Sequence, residues 1–209
     1  MGEIIRKMSI ALTVALFIGC GGGGGGGGTP PTSQSSSITT PDPAHAPSLD
    51  QATIDRYLKA INDERTKAGG QDCGVHGHFD PAPPLTWSDE LYYAAYEHSY
   101  DMAKSDWWGH DGSGTDNDWT AKVQNLGRGS TVRERIENNN YTNWRTIGEN
   151  IAGGTVMDTP EEAVDGWMNS PDHCKNIMNP NFKEVGMAVV QEPTSSLNYY
   201  WTQDFGAKW

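Results

Sequence analysis

The chain has 209 residues and a net charge of −12 at neutral pH, with only three cysteines. Nucleic acids and anionic lipid surfaces are held through Lys and Arg, so a chain this acidic is not expected to bind either by charge. Acidity favours solubility and cation binding instead, and the length suffices for a single substantial core once the ends are set aside.

Arg6 and Lys7 precede an apolar run from Ile10 to Ile18, which Gly19 and Cys20 follow. The run is shorter than a membrane span requires and reads as a signal peptide over residues 1–19. Phe17, Ile18, Gly19 and Cys20 resemble the bacterial lipobox. That likeness predicts lipidation of Cys20 and a cell-envelope product held to the membrane by the lipid anchor alone, or a secreted product if Cys20 is not lipidated. Residues 20–48 open with eight consecutive glycines after Cys20 and continue in Pro, Ser and Thr, a composition that reads as a flexible tether. A single folded domain is left at residues 49–209.

With Cys20 assigned to lipid, Cys73 and Cys174 remain, and two cysteines in an exported domain point to one disulfide. The competing reading is a metal site, because Cys73, His76 and His78 form a C-x2-H-x-H pattern. Structural zinc takes four ligands and this loop supplies three, which favours the disulfide.

Helical periodicity begins at about Leu49, with Ile54, Leu58 and Ile61 on one face, and stops at Gly69 and Gly70. After the Pro-rich PAPPLTW, Ser88 reads as the N-cap of a longer helix to about Ser105, with Leu91, Ala95, His98 and Met102 on its inner stripe. A histidine on such a stripe is ordinarily a core residue with a hydrogen-bond partner, which is the reading for His98. His110 differs, because it follows Trp107, Trp108 and Gly109 beyond the helix end, where a turn can present its ring to a cleft. The polar stretch from Asp111 to Asn143 predicts only a short helix over Val132 to Asn138.

Thr159, Pro160 and Glu162 predict a capped helix start, with Val164, Trp167 and Met168 buried. Ser170 and Pro171 repeat the cap-then-proline device and open a short helix that carries His173 and Cys174. Two alternating segments follow, one through Val185, Met187 and Val189 and one through Tyr199, Trp201, Gln203 and Phe205, which predict a hairpin. Helices covering both faces of that hairpin make an α+β chain, a three-layer α-β-α sandwich around a small antiparallel sheet.

Within this frame Ile147 to Gly153, IGENIAG, places one carboxylate, Glu149, in an apolar stretch. A buried carboxylate needs a counter-charge, hydrogen bonds or a metal. His110 and His173 are the candidate partners, since each lies beside turn residues that can aim a ring into a shared cleft.

PLTWSDEL, AAYEHSYDMAKSDWWGH, IGENIAGG, EEAVDGWMNSPDHCKNIMNPNFKEVGMA and YYWTQDFG together resemble the bacterial branch of the CAP superfamily, also called the SCP or PR-1-like domain, over about Leu49 to Trp209. The resemblance implies the α-β-α sandwich, an extracytoplasmic location and a central cleft with a His/Glu cluster that in several members binds a divalent cation. Carried over by motif, His110, Glu149 and His173 are the cluster, with Zn2+ or Mg2+ as the implied ion and Asn150 and Ser170 supporting the cleft. Cys73 and Cys174 fit the pairing implied where the bacterial motif reads H-C. The chain departs from the eukaryotic branch at two places: Ser170 stands where a second glutamate is found, and Tyr200, Trp201, Thr202 and Gln203 replace a histidine-bearing strand.

Three functions follow as expectations. The leading one is a non-enzymatic, monomeric extracytoplasmic module whose cleft binds a divalent cation, a lipid or a protein partner; members of the superfamily bind sterols and fatty acids. The second is a metal-dependent hydrolase with His110 and His173 as ligands and Glu149 as general base. Two histidines fall short of a typical catalytic zinc site, and neither HExxH nor G-x-S-x-G occurs, so no catalytic residue is assigned. The third is a purely structural His/Glu cluster.

Overall fold

The computed structural model describes residues 46–209. The signal-peptide, lipobox and Cys20 assignments, and most of the tether, lie outside the described residues. Ala46 and Leu49 pack beside Tyr92, whose hydroxyl donates to the Pro47 carbonyl at 2.7 Å.

The first helix, α1, spans Gln51–Arg65, with the Asp50 side chain accepting from Thr53 N as its cap. A small antiparallel pair, β1 (Gln71–Asp72) and β2 (His78–Phe79), brackets the single turn that follows Cys73. Strand β3 is Thr86–Trp87, and α2 runs Asp89–Ser105 from the predicted cap Ser88, whose hydroxyl accepts from Leu91 N. The polar excursion holds α3 (Trp119–Gln124), for which the sequence pattern offered no signal, and α4 (Val132–Asn138), as predicted. Trp144–Gly154 is β4; α5 is Pro160–Met168, α6 Pro171–Met178, β5 Glu184–Glu192 and β6 Asn198–Lys208. The predicted Thr159 capping box is formed by both of its hydrogen bonds. Ser170 occupies the N-cap of α6, yet its hydroxyl makes no capping bond.

The four-stranded sheet has the order β3-β5-β6-β4. The predicted hairpin β5–β6 is its centre, β4 joins β6 antiparallel, and β3 adds a short parallel edge to β5. Periodicity missed β4, because GENIAGG lacks the β-branched run that marks a strand. Strand β6 is buried from Tyr200 through Ala207, since helices cover both faces.

Period-2 alternation decides which helix layer each strand residue meets. Val185, Met187, Trp201 and Phe205 face α1, α5 and α6, where they bury Tyr57, Ile61, Val164, Trp167, Ile177 and Met178. Each large apolar side chain removed from water there contributes about 1.5–3 kcal/mol. On the opposite face Tyr200 and Ile151 meet Met102 of α2, and Ala188 meets Tyr92 and Ala95. Helix α2 lies so close to β5 that a Cβ at Gly186 would come within 2.0 Å of Tyr92 N. Buried Arg65 joins α1 to the end of α6, donating to Pro83, Ile177 and Asn179 carbonyls. Cys73 and Cys174 form a disulfide with Cα atoms 5.5 Å apart, closing a sequence separation of 101 residues. His76 lies 2.5 Å from Asp172, so the C-x2-H-x-H pattern serves the loop-to-α6 contact.

Candidate functional site

Glu149 is buried in β4, on the sheet face that α2 and α4 cover. Its two oxygens have different partners. Oε1 lies 2.8 Å from His110 Nδ1, and Oε2 accepts from Arg135 Nη2 at 2.8 Å. The His110–Glu149 contact is the pairing that motif and turn placement predicted, with the ring about half exposed (53%) and the carboxylate at 1%.

Arg135 is the partner that the sequence did not reveal. It lies on the inner face of α4 and is fully buried. Its guanidinium also donates to the His110 carbonyl at 2.7 Å and to the Ser130 carbonyl at 2.8 Å, which holds the post-α2 loop against α4. The only sequence signal for it was the need of Glu149 for a cation. Nothing in the local pattern separated Arg135 from its neighbours Arg128 and Arg133, which instead pair on the surface with Glu134 and Glu137.

Two more titratable groups complete the cluster. His98 is buried in α2, its Nε2–H donating to the Gly109 carbonyl at 2.9 Å and lying 3.8 Å from Glu149 Oε1. It is the hydrogen-bonded core residue that was expected, and it also forms one wall of the carboxylate's pocket. Asp204 is the cross-strand neighbour of Glu149 in the β4–β6 register and is fully buried, and among the described residues neither carboxyl oxygen finds a hydrogen-bond donor. An acid inside the apolar YYWTQDFG run was its visible mark.

The electrostatics follow from these positions. Burial raises the Glu149 pKa, but the adjacent His98 ring, the Arg135 charge and the hydrogen bonds from His110 and Arg135 outweigh that and hold it well below the usual range. Burial depresses His98 to about 4, so this ring is neutral at pH 7 and Arg135 supplies the counter-charge. The hydrogen bond to Glu149 raises the His110 pKa against the opposing effect of partial burial. Burial and the Glu149 charge raise the Asp204 pKa well above the usual carboxylate range, which favours its neutral form. The cluster therefore holds one anion against one permanent cation, an arrangement that a low-dielectric interior tolerates.

His173 sits in the first turn of α6, partly buried, and is not bonded to the Glu149 carboxylate. Strand alternation explains this. Asn150, the next residue of β4, points to the opposite face, donating to the His173 carbonyl at 3.3 Å and to Gln203 at 3.1 Å, and accepting from Asn176 at 2.9 Å. Asn150 thus ties β4 to α6 and β6, whereas the Ser170 side chain makes no capping contact. Burial and the charge of His110 both lower the His173 pKa. Among the described residues no group of three His, Cys, Asp or Glu side chains is arranged to hold a metal ion. The residues present do not fit a three-ligand centre, because both oxygens of Glu149 are engaged.

The CAP profile, described as the cysteine-rich secretory protein family, matches residues 58–205. The chain belongs to the CAP family. Among curated proteins of Bacillus subtilis, the uncharacterized protein YkwD is 48% identical to this CAP chain over 65 residues, 31% of this chain and 23% of its own length. The uncharacterized membrane protein YlbC is 27% identical over 125 residues, 60% of this chain and 29% of its own. The CAP chain thus spans less than a third of the length of either relative. Among solved structures, an extracellular protein containing a SCP domain from Bacillus anthracis superposes with a TM-score of 0.54 at 21% identity, over 78% of this chain and 45% of that one. An outer surface protein from Borrelia burgdorferi gives 0.54 at 18% identity, over 77% of this chain and 97% of that one. These two likenesses concern the CAP fold, the three-layer α+β sandwich described above.

Proposed function

We propose that the chain is an exported, non-enzymatic CAP-domain binding module, held to the membrane by a lipid on Cys20, in which His110 and His173 border the ligand cleft and Glu149 is its internal anchor. The observation that carries this reading is the commitment of Glu149, whose two oxygens are taken by His110 and Arg135. A general base needs an oxygen open to the water it deprotonates, so this geometry disfavours the metal-dependent hydrolase. The half-exposed His110 and the partly buried His173 imidazoles suit a loosely held Zn2+ or Mg2+ with water completing its shell, or a lipid or protein that reaches both rings. Export draws support from the Cys73–Cys174 disulfide, from the basic-then-apolar amino terminus, and from the extracellular B. anthracis relative.

Calorimetric titration of the full chain with ZnCl2 and MgCl2 tests the cleft. Weak saturable binding that is lost in both His110→Ala and His173→Ala is the expected result, and no binding in the parent would leave the cleft to lipid or protein ligands. Turnover of ester, phosphodiester or peptide substrates that disappears in Glu149→Gln would overturn the non-enzymatic reading. For the anchor, Cys20→Ala is expected to move the protein from the membrane fraction to the medium; an unchanged distribution would remove the lipid from the proposal.

A further inference from the structure

Helix α2 ends in a residue that is neither glycine nor asparagine in the left-handed region: Asp106, at φ 46° and ψ 43°. The N–H groups of Asp106 and of Trp107 both donate to the Met102 carbonyl, and this turn lifts two consecutive indoles off the helix. Trp107 and Trp108 remain 44% and 49% exposed. Large exposed aromatic surface is uncommon on a soluble domain unless it serves recognition.

These rings are nevertheless held in place. Trp107 Nε1 donates to the Asp111 carbonyl at 2.9 Å. Trp108 packs against Tyr200, ring centroids 6.4 Å apart, and covers Gly153, where a Cβ would lie 2.9 Å from its Cζ3. The Asp106 carboxylate is fixed as well, accepting from Ser196 N at 2.8 Å, Ser196 Oγ at 2.7 Å and Tyr200 OH at 3.0 Å. Those bonds lower its pKa and keep it ionised at neutral pH.

Asp106, Trp107, Trp108, Leu197 and Tyr200 border an open cavity of about 370 Å3, and among the described residues neither Lys nor Arg lines it. Its size suits a small molecule. Aromatic faces carry negative quadrupole potential, the fixed carboxylate adds a full charge, and the whole chain carries −12. An anionic ligand is repelled by all three. A bare metal ion finds only one carboxylate there, already hydrogen-bonded by three donors. An organic cation matches both characters of the cavity, with an apolar shell against the rings and a charge toward Asp106.

We propose that the Trp107–Trp108–Tyr200 cavity, closed by Asp106, is a binding site for a soluble small-molecule alkylammonium of the quaternary type. The site is preorganised, so binding does not have to order either indole.

The test is an NMR titration of the 15N-labelled full chain with tetramethylammonium and choline chlorides at constant ionic strength. Trp107→Phe and Trp108→Phe assign the two indole N–H signals. Saturable shifts of both signals are expected, with the Trp107 shift lost in Trp108→Ala and the affinity read from both signals weakened about tenfold in Asp106→Asn. Asn tolerates the left-handed cap, its Oδ1 can accept from Ser196 N and Tyr200 OH, and its Nδ2 can donate to Ser196 Oγ, so the second variant keeps the fold if the first does not. The neutral carbon isostere 3,3-dimethylbutan-1-ol is expected to give no shift. Equal shifts from the isostere would overturn the proposal in favour of a merely apolar cavity. A response to methyl β-glucoside with none to either ammonium would overturn it in favour of a carbohydrate site.

Discussion

Arg135 Nη2 and Glu149 Oε2 meet at 2.8 Å with both side chains at 1% exposure, so an α4 cation and a β4 anion neutralise each other inside the protein. Removing one partner of a buried pair strands the other, at a cost of about 3–5 kcal/mol. Arg135→Met is therefore expected to lose about that much stability in urea denaturation. Because the buried carboxylate also loses its charge in Arg135→Met/Glu149→Gln, the double variant should recover part of the loss. A double variant as unstable as the sum of the singles would show that the two side chains are not coupled.

The buried groups predict opposing pH effects. His98 titrates at about 4 in the folded protein against 6.5 for an exposed imidazole. A depressed group leaves stability intact above 6.5 and withdraws it as pH falls from 6.5 toward 4, on the order of 3 kcal/mol in full. Thermal melts across that window should show the loss, and His98→Gln should flatten it.

Asp204 acts in the other direction. Its pKa is raised above 3.8, so its contribution is complete below 3.8 and is lost as pH rises through the folded value. Above pH 3.8 the folded state holds this proton more tightly than the unfolded chain does. Asp204→Asn, which supplies a neutral side chain of the same shape, is expected to be more stable than the parent at pH 7 and to lose that advantage near pH 3. Paired melts at the two pH values check it.

The disulfide closes a separation of 101 residues. In the chain-entropy account a loop of that size is worth about 4–5 kcal/mol. Cys73→Ser/Cys174→Ser should lower stability by roughly that amount in denaturant titrations, and by more than any surface substitution on α1.

Gly186 tests the sheet–helix contact. A methyl there would meet Tyr92 N at 2.0 Å and the Leu91 carbonyl carbon at 2.2 Å, both backbone atoms that cannot rotate away. Gly186→Ala should cost about 1–3 kcal/mol or more by overpacking, with near-ultraviolet circular dichroism reporting the shifted α2.

Much of this architecture was legible because local chemistry and tertiary demand agree. Ser88 and Thr159 cap helices for the same reason in a peptide as in the domain, and the alternation of Val185, Met187 and Val189 against Tyr199, Trp201 and Phe205 fits only a sheet buried against helices. Strand β4 was hidden for the converse reason. Its small and amide residues carry weak strand preference, and pairing with β6 supplies the hydrogen bonds that make it a strand. Ser170 looked like a cap because the motif is right, yet its hydroxyl makes no capping bond.

The chain by itself determined that Glu149 needed a partner, that His110 stood where a turn could present it, and that Cys73 and Cys174 were the available thiols. Only the tertiary structure decided that the decisive counter-charge is Arg135, that Asp204 lies across the strand from Glu149, and that His173 meets Asn150 by its backbone instead of meeting Glu149 by its ring. The reason is geometric. A need for charge compensation is a property of one residue in its local setting, whereas the identity of the compensating group depends on strand register and on which face of β4 each helix covers.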